Sequence, residues 1–283
     1  MKIFYHNDLD GHCSAAIVYQ YYKDRLPNEY PLIEMREMSY SKEFPFNYIC
    51  RDEVIFLVDY SLQKPGDFGK LLQITSKVVW IDHHITAIEG NSKMSTLAGL
   101  RRDGTAACEL AWEYYYPTLD VPEVVKLIGD MDVWKLEYAN TWPIIEYLSM
   151  FDTRPDRYDW SLWLTVNGNR ENILDDLSIG RNLLKYRDIR NQKLMSLAYE
   201  VMWEGRLCIV CNCAFTGSKV FDSLEDPGKY DLMVAYSYDG TKWTVSLYSS
   251  TVHCGELAKK YGGGGHKGAA GFQCKELPFK YCK

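Results

Sequence analysis

Short apolar runs alternate with amphipathic stretches through the first half of the chain. Apolar runs that predict strands cover residues 1–5, 53–59 and 77–81. The second and third runs show no polar alternation, as is typical of strands covered on both faces. Apolar residues at helical spacing predict helices over residues 14–26, 65–75, 105–116 and 121–130. This alternation predicts parallel crossovers and a doubly wound, mainly parallel α/β sheet.

The pattern changes twice in the second half of the chain. Residues 140–163 are irregular and rich in Trp, Tyr and Pro, and residues 170–204 predict one or two helices of mixed charge with an apolar face. From residue 206 onward, short β-type runs are separated by glycine turns. We therefore predict a catalytic domain over residues 1–160, a helical connector over 161–205 and a smaller α+β domain over 206–283.

Polar side chains follow each predicted strand of the first domain. His6, Asp8 and Asp10 come after the first strand and Asp59 ends the second; Asp82, His83 and His84 follow the third. Ligands of doubly wound sheets bind beyond the carboxyl ends of the strands, which lie along one edge. Buried charge is costly unless it is paired or bound to metal, and Asp and His are ligands of transition ions. The sequence therefore predicts a metal site at this edge.

Each of these clusters also has a purely structural alternative. The segment from His6 to Asp10 would serve equally as a turn that caps the following helix. Asp59 could cap the segment after its strand. Asp130 and Asp132 could be the charged end of a helix, or one of them could be the last carboxylate ligand; we prefer Asp130 because it directly follows the apolar helix.

A glycine-rich segment at residues 261–272 is the second candidate site. Glycines let a ligand approach the backbone closely and expose N–H groups, so the segment could hold a phosphate or a terminal nucleotide. The alternative is a flexible surface loop. The residues predicted to bind substrate here are Gly263, Gly264, Gly265, His266 and Lys267.

Composition limits the partners of these sites. The chain has 283 residues, 47% of them hydrophobic, and a net charge of −6, so it lacks the broad basic surface of a processive nucleic-acid binder. A bound metal would still attract a small phosphorylated substrate. No secretory signal precedes the first strand and no apolar run approaches ~18 residues. We expect a cytoplasmic protein with reduced thiols that does not bind membranes.

The segments HNDLDGHCSAA, LVDYS, IDHH and IGD, followed by GGGGHKGAAGF, occur in an order that resembles the DHH phosphoesterase superfamily. The resemblance spans nearly the whole chain and implies two Mn²⁺ ions, with Mg²⁺ or Co²⁺ as alternatives. The metal ligands it implies are His6, Asp8, Asp10, Asp59, His83 and Asp130. It also implies catalytic roles for His83, for His84, which either supports the metal ligands or contacts the phosphate, and for Asp82, which either positions the neighbouring imidazole or ligates directly.

Two departures from the family pattern bear on substrate choice. In many members that cleave short RNA, the first His lies farther ahead of the paired Asp residues than His6 does. Members that grip a terminal phosphate often carry an Arg where this chain has Tyr248, and a Tyr offers stacking instead of a bidentate cation.

The resemblance implies hydrolysis of phosphodiester bonds in short oligonucleotides or dinucleotides. The enzymatic alternative is a phosphatase or polyphosphatase acting on a compact phosphate such as phosphoadenosine phosphate. The alternative from another class is a nucleotide-binding module without turnover. A homodimer is one assembly compatible with the sequence.

Overall fold

Two structural units make up the chain in the computed structural model. It describes residues 1–26, 33–40, 42–165, 170–265 and 267–280, with only the backbone described for residues 170–174. The first unit is Met1–Leu183 and the second is Leu184–Lys283. The predicted three-part division, with boundaries at residues 160 and 205, stays a prediction.

A four-stranded parallel sheet forms the centre of the first unit. Its strands are β1 (Lys2–His6), β2 (Glu34–Met38), β3 (Ile55–Val58) and β4 (Val78–Ile81). They lie in the order β2-β1-β3-β4, and every neighbouring pair is parallel. The helices of this unit are α1 (Leu9–Arg25), α2 (Asp67–Ile74), α3 (Ile85–Gly90), α4 (Ala107–Tyr115), α5 (Glu123–Asp132), α6 (Thr141–Leu148) and α7 (Asp159–Trp163). The parallel α/β fold predicted from the sequence is confirmed.

The apolar strands cover both faces of this sheet. Tyr5 and Val58 contribute to one hydrophobic core, whereas Phe4 and Leu57 contribute to another. Successive side chains of a strand point to opposite faces, so an uninterrupted apolar run fills two cores at once. Each core covers one face, which leaves the strand ends as the place where polar side chains can gather.

Two helix boundaries and one additional strand differ from the prediction in ways that change the site. Helix α1 begins at Leu9, not near residue 14, so Asp10 lies in its first turn and not in an extended segment. Helix α5 continues two residues beyond Asp130. Strand β2 was not predicted, because its sequence EMREM is charged and mostly exposed, as suits the edge of a sheet.

A mixed six-stranded sheet dominates the second unit. Its strands are β5 (Tyr199–Trp203), β6 (Arg206–Asn212), β7 (Leu232–Tyr238), β8 (Trp243–Tyr248), β9 (Gly264–Gly265) and β10 (Ala269–Cys274). Helix α8 (Arg170–Met195) precedes the sheet and α9 (Cys254–Lys259) follows β8; the strand order is β5-β6-β7-β8-β10-β9. Only β6 and β7 pair in parallel. The helix predicted to reach residue 204 was wrong at its end, because the β-type run YEVMW forms strand β5.

Within the described parts of the chain, no helix combines the length and the apolar character that crossing a membrane requires.

Candidate metal centre

Except for Asp130, the acidic and imidazole side chains predicted to bind metal lie at or just beyond the carboxyl ends of β1, β3 and β4. His6 is the last residue of β1, Asp59 follows β3, and Asp82 follows β4. Strands β2 and β3 lie on opposite sides of β1, so the chain adds β2 on one side of β1 and then β3 and β4 on the other. The order of the strands therefore reverses at the boundary between β1 and β3. Ligands of such sheets bind at this switch point. The backbone therefore delivers three separate segments to one place.

Asp59 occupies the middle of the cluster. Its residue is only 1% exposed, and both carboxylate oxygens are buried without a hydrogen-bond partner among the described residues. Oδ1 lies 3.3 Å from Nε2 of His83, and Oδ2 lies 3.7 Å from Nδ1 of His6. The backbone of Asp59 has φ 53°, a left-handed conformation that Asp and Asn tolerate better than most residues. The two oxygens thus face two different imidazoles.

His83 joins Asp59 to two further carboxylates. Its Nε2 lies 3.7 Å from Oδ2 of Asp10 and 3.4 Å from Oδ2 of Asp132. Asp10 is fully buried, and its two oxygens also accept hydrogen bonds from the backbone N–H groups of Ala107 and Cys108, at 2.8 and 2.7 Å. Asp10 therefore caps helix α4 across a long stretch of chain.

His6 and Asp8 complete the other side of the cluster. Nδ1 of His6 lies 2.5 Å from Oδ2 of Asp8, whose Oδ1 accepts the backbone N–H of Gly11 at 2.9 Å. Asp8 is thus the N-cap of α1, as the structural alternative proposed, and it faces the cluster as well. A Cβ on Gly11 would come within 2.2 Å of the His6 carbonyl oxygen, so glycine is required for α1 to pack this close to β1.

Asp82 is fully buried and orients the imidazole of His84. Its Oδ1 accepts hydrogen bonds from the backbone N–H groups of His83 and His84, and lies 2.8 Å from Nδ1 of His84. Its Oδ2 accepts the indole N–H of Trp80 at 3.1 Å. Both oxygens are therefore occupied, which favours the positioning role for Asp82 over direct ligation.

Asp130, preferred from the sequence as the last metal ligand, is hydrogen-bonded outside the cluster, and the identity of that ligand stays a prediction. Oδ1 of Asp130 accepts the backbone N–H of Glu137 at 2.8 Å, and its Oδ2 accepts the N–H of Tyr138 and the hydroxyl of Thr141. These bonds close the loop after α5. Because α5 runs on, Asp132 reaches the cluster in its place, and its Oδ2 is buried without a hydrogen-bond partner among the described residues.

Burial and neighbouring charges shift the pKa values of the carboxyl groups in the cluster. Burial and the neighbouring charges of Asp10 and Asp8 raise the pKa of Asp59 well above its usual range, and the same causes raise the pKa of Asp132 to about 8. Burial also raises the pKa of Asp10. The pKa of Asp8 falls to about 2, because hydrogen bonds from His6 and Gly11 outweigh its burial. The cluster carries more buried acid than its own imidazoles neutralise.

Three overlapping groups of side chains offer ligand atoms within 4.8 Å of one another. They are His6, Asp8 and Asp59; Asp10, His83 and Asp132; and Asp59, His83 and His84. The orphaned oxygens of Asp59 and Asp132 and the mixed N and O donors fit divalent transition ions. This is an acidic cluster able to hold metal.

Tyr40 lies beside this cluster and was not predicted. Its ring centroid is 5.1 Å from that of His6 and 5.9 Å from that of His84, and it stacks on Tyr60 at 5.3 Å. Tyr40 follows β2, the strand that the sequence pattern did not reveal, so no signal in the sequence pointed to it. His12 faces Thr153 and Glu37 instead of the cluster.

The predicted substrate-binding segment lies in the second unit. Gly264 and Gly265 form strand β9 and pair with β10, so this part is a hairpin and not an open loop. A Cβ on Gly263 would come within 2.1 Å of the Gly271 carbonyl oxygen. Lys267 is exposed, and the half-buried ring of Tyr248 packs near Phe221 at 6.1 Å. His266 lies outside the described residues, and a substrate role for this segment stays a prediction.

Comparisons with known proteins agree with this geometry. A family model described as "DHH family, N-terminal domain" matches residues 1–130, and one described as "DHHA1 domain" matches residues 218–280. An uncharacterized protein from Acanthamoeba polyphaga mimivirus is 25% identical over 287 residues, which cover 93% of this chain. The chain spans only 64% of the length of that relative.

Two solved structures share the fold at low sequence identity. The DHH domain of a member of a family of ribosomal proteins has a TM-score of 0.64 and 13% identity, covering 95% of this chain and 81% of its own. A pGpG-specific phosphodiesterase from Vibrio cholerae, PggH, has a TM-score of 0.52 and 12% identity, covering 97% of this chain and 93% of its own. At these identities the likeness concerns the fold.

Proposed function

Because the chain belongs to the DHH superfamily of phosphoesterases, we propose that it hydrolyses phosphodiester bonds of short oligonucleotides or dinucleotides with two divalent ions, preferably Mn²⁺. The observation that carries the proposal is the Asp59 carboxylate, which is buried between two imidazoles without a hydrogen-bond partner among the described residues. A buried charge without a partner costs several kcal/mol, whereas a cation between the same groups would stabilise it.

Asp59 belongs to two of the three ligand groups, one with His6 and Asp8 and one with His83 and His84, and His83 also belongs to the group with Asp10 and Asp132. His6 and Asp8 would hold one ion, while Asp10, His83 and Asp132 would hold the other. With Oδ2 directed toward His6 and Oδ1 toward His83, Asp59 would bridge the pair. When bound, a pair of divalent ions supplies water activation near neutral pH and positive charge for in-line displacement at phosphorus.

His84 would contact the phosphoryl oxygens. Burial lowers its pKa, but the hydrogen bond and charge of Asp82 outweigh this, so the pKa of His84 is raised and the cationic form is favoured. Its side chain is 34% exposed, so substrate can reach it. Because Asp82 lies against Nδ1, the Nε2–H is the group left to donate to a phosphoryl oxygen, where charge develops during the reaction.

A dinucleotide is the first substrate to test. The chain's net charge of −6 disfavours long nucleic acids, which bind through many cationic contacts to phosphates. A protein of similar fold is named as a pGpG-specific phosphodiesterase, which gives a specific dinucleotide to include.

The test is a hydrolysis panel with Mn²⁺, Mg²⁺, Co²⁺ or EDTA. Its substrates are linear RNA and DNA dinucleotides, cyclic dinucleotides, five-residue oligonucleotides, phosphoadenosine phosphate and polyphosphate. The proposal predicts fastest turnover of dinucleotides with Mn²⁺ and none in EDTA. Turnover confined to polyphosphate or phosphoadenosine phosphate would replace it with the phosphatase alternative. Tight nucleotide binding without any turnover would favour the non-hydrolytic module.

A further inference from the structure

A cavity of about 460 Å³ lies in the first unit next to the candidate metal centre. Tyr40 contributes to its lining and is also the aromatic residue in contact with His6 and His84. Tyr40 therefore connects the cavity with the acidic cluster. Nothing in the motif order or in the family comparison assigns a role to it.

Aromatic rings line part of this cavity. Tyr40 stacks on Tyr60 with ring planes 15° apart, and Phe44 lies on Tyr60 at 6.3 Å and 19°. Tyr60 and Phe44 are buried, whereas Tyr40 keeps 38% of its surface exposed. The ring of Tyr40 also contacts the imidazole of His6, at 5.1 Å and 30°, so the exposed 38% of Tyr40 is the surface that remains for another planar group.

Lysines line the cavity together with these rings. Lys42, Lys64 and Lys70 all line the cavity, together with the acidic residues Glu43 and Asp67. Lys64 forms an ion pair with Glu43, and Lys70 lies 2.9 Å from Asp67. The lining thus carries one net positive charge, in a chain whose net charge is −6 and beside a cluster of buried acids. This positive charge favours the binding of an anion in the cavity.

We propose that this cavity is a nucleotide subsite, in which a base stacks on Tyr40 and a phosphate contacts the lysines. A planar ring system next to a phosphate is the one common ligand chemistry that matches a lining of both aromatic rings and lysines. The inference rests on the proposed function and deepens it: the subsite would hold the nucleotide adjacent to the scissile phosphate. It favours substrates of at least two nucleotides over bare polyphosphate.

The test uses the full chain with Mn²⁺ and the fluorescent probe 2-aminopurine riboside 5′-monophosphate, whose emission is quenched by stacking. Replacing Tyr40→Leu should abolish the quenching and weaken binding roughly 5- to 150-fold, the range that corresponds to ~1–3 kcal/mol for one stacked base. Tyr40→Phe keeps the ring and should retain both. Tyr158→Leu, at a tyrosine that is 72% exposed, is the matched control.

The contribution of the lysines is tested separately from that of Tyr40. The probe should bind roughly tenfold or more tightly than its riboside, which lacks the phosphate. The double variant Lys42→Met with Lys64→Met should bring this ratio close to one. Lys77→Met with Lys126→Met, which removes the same charge outside the cavity lining, should leave it unchanged. Circular dichroism checks that each variant is folded.

The outcomes separate the subsite from the catalytic proposal. Tyr40-dependent quenching without hydrolysis of any panel substrate would support the subsite while the proposed function fails. Hydrolysis of dinucleotides with unchanged probe affinity in both Tyr40→Leu and the lysine double variant would overturn the subsite alone. Equal loss of affinity in the Tyr158 or the Lys77 and Lys126 controls would also overturn it.

Discussion

Replacing Asp59→Asn should make the metal-free protein more stable and the metal-dependent activity collapse. Asparagine preserves the shape of the side chain and tolerates the left-handed backbone at φ 53°, so the change chiefly removes the charge. Alanine would add backbone strain and confuse the comparison.

The structure sets the size of the expected effect. Both oxygens of Asp59 are buried without a hydrogen-bond partner among the described residues. Asparagine leaves a neutral polar group in the same place, so the variant recovers only the part of the burial cost that comes from the charge, about 1–3 kcal/mol. Removing the charge should therefore raise the unfolding free energy of the metal-free protein by a similar amount. For a unit of this size, that corresponds to a melting temperature about 2–12 °C higher. Saturating wild type with Mn²⁺ at 100 times its Kd should add about 2.7 kcal/mol, and the variant should gain much less.

The assay is thermal unfolding in EDTA and in Mn²⁺ at pH 8, paired with dinucleotide hydrolysis. We expect at least a 100-fold loss of kcat/KM in the variant, since even residues that only orient metal ligands change affinity or activity by ~10–100-fold. A variant that is less stable than wild type in EDTA, or that keeps the full Mn²⁺ stabilisation, would refute the bridging role of Asp59.

Three further predictions follow from the same geometry. Asp132→Asn should weaken Mn²⁺ binding at least ~10-fold in calorimetry without destabilising the metal-free protein. Asp130→Asn should instead lower the unfolding free energy by about 1–3 kcal/mol in denaturant and leave the Mn²⁺ affinity unchanged. The reverse pattern would identify Asp130 as the ligand. The folded-state pKa of Asp132, about 8, lies above its ordinary 3.8, so the folded protein binds more protons and its metal-free unfolding free energy should fall as pH rises from about 4 to about 8. Mn²⁺ displaces those protons, so its stabilising shift should grow with pH in melts from pH 5.5 to 8.5, and a constant shift would contradict the linkage. Asp82→Asn should lower the pKa of His84 and move the alkaline limb of the kcat/KM profile to lower pH, whereas a profile reduced uniformly at every pH would indicate a merely structural role.

The parallel sheet could be predicted because its central strands have a strong sequence signal. β3 and β4 are buried on both faces, so their sequences are continuously apolar, and the helix between them, α2, keeps its period. β2 lies at an edge, where half of its surroundings is solvent and charged residues cost little. Its pattern therefore carries almost no strand signal. β5 was assigned to the preceding helix because element ends are set by tertiary pairing, here with β6.

The same distinction applies to the site. His6, Asp59 and His83 could be predicted because each lies at or just beyond the end of an apolar strand, and parallel strand ends share an edge. The choice between Asp130 and Asp132 depended on where α5 ends, which local sequence does not determine. Tyr40 belongs to the site only through the unpredicted β2, and the capping of α4 by Asp10 joins residues far apart in the sequence.

The most direct test of the metal centre is anomalous diffraction at the manganese absorption edge from crystals of the full chain grown with Mn²⁺. We expect two peaks at coordination distance from Asp59, one shared with His6 and Asp8 and the other with Asp10, His83 and Asp132. No peak at Asp59, or manganese bound only elsewhere, would contradict the account.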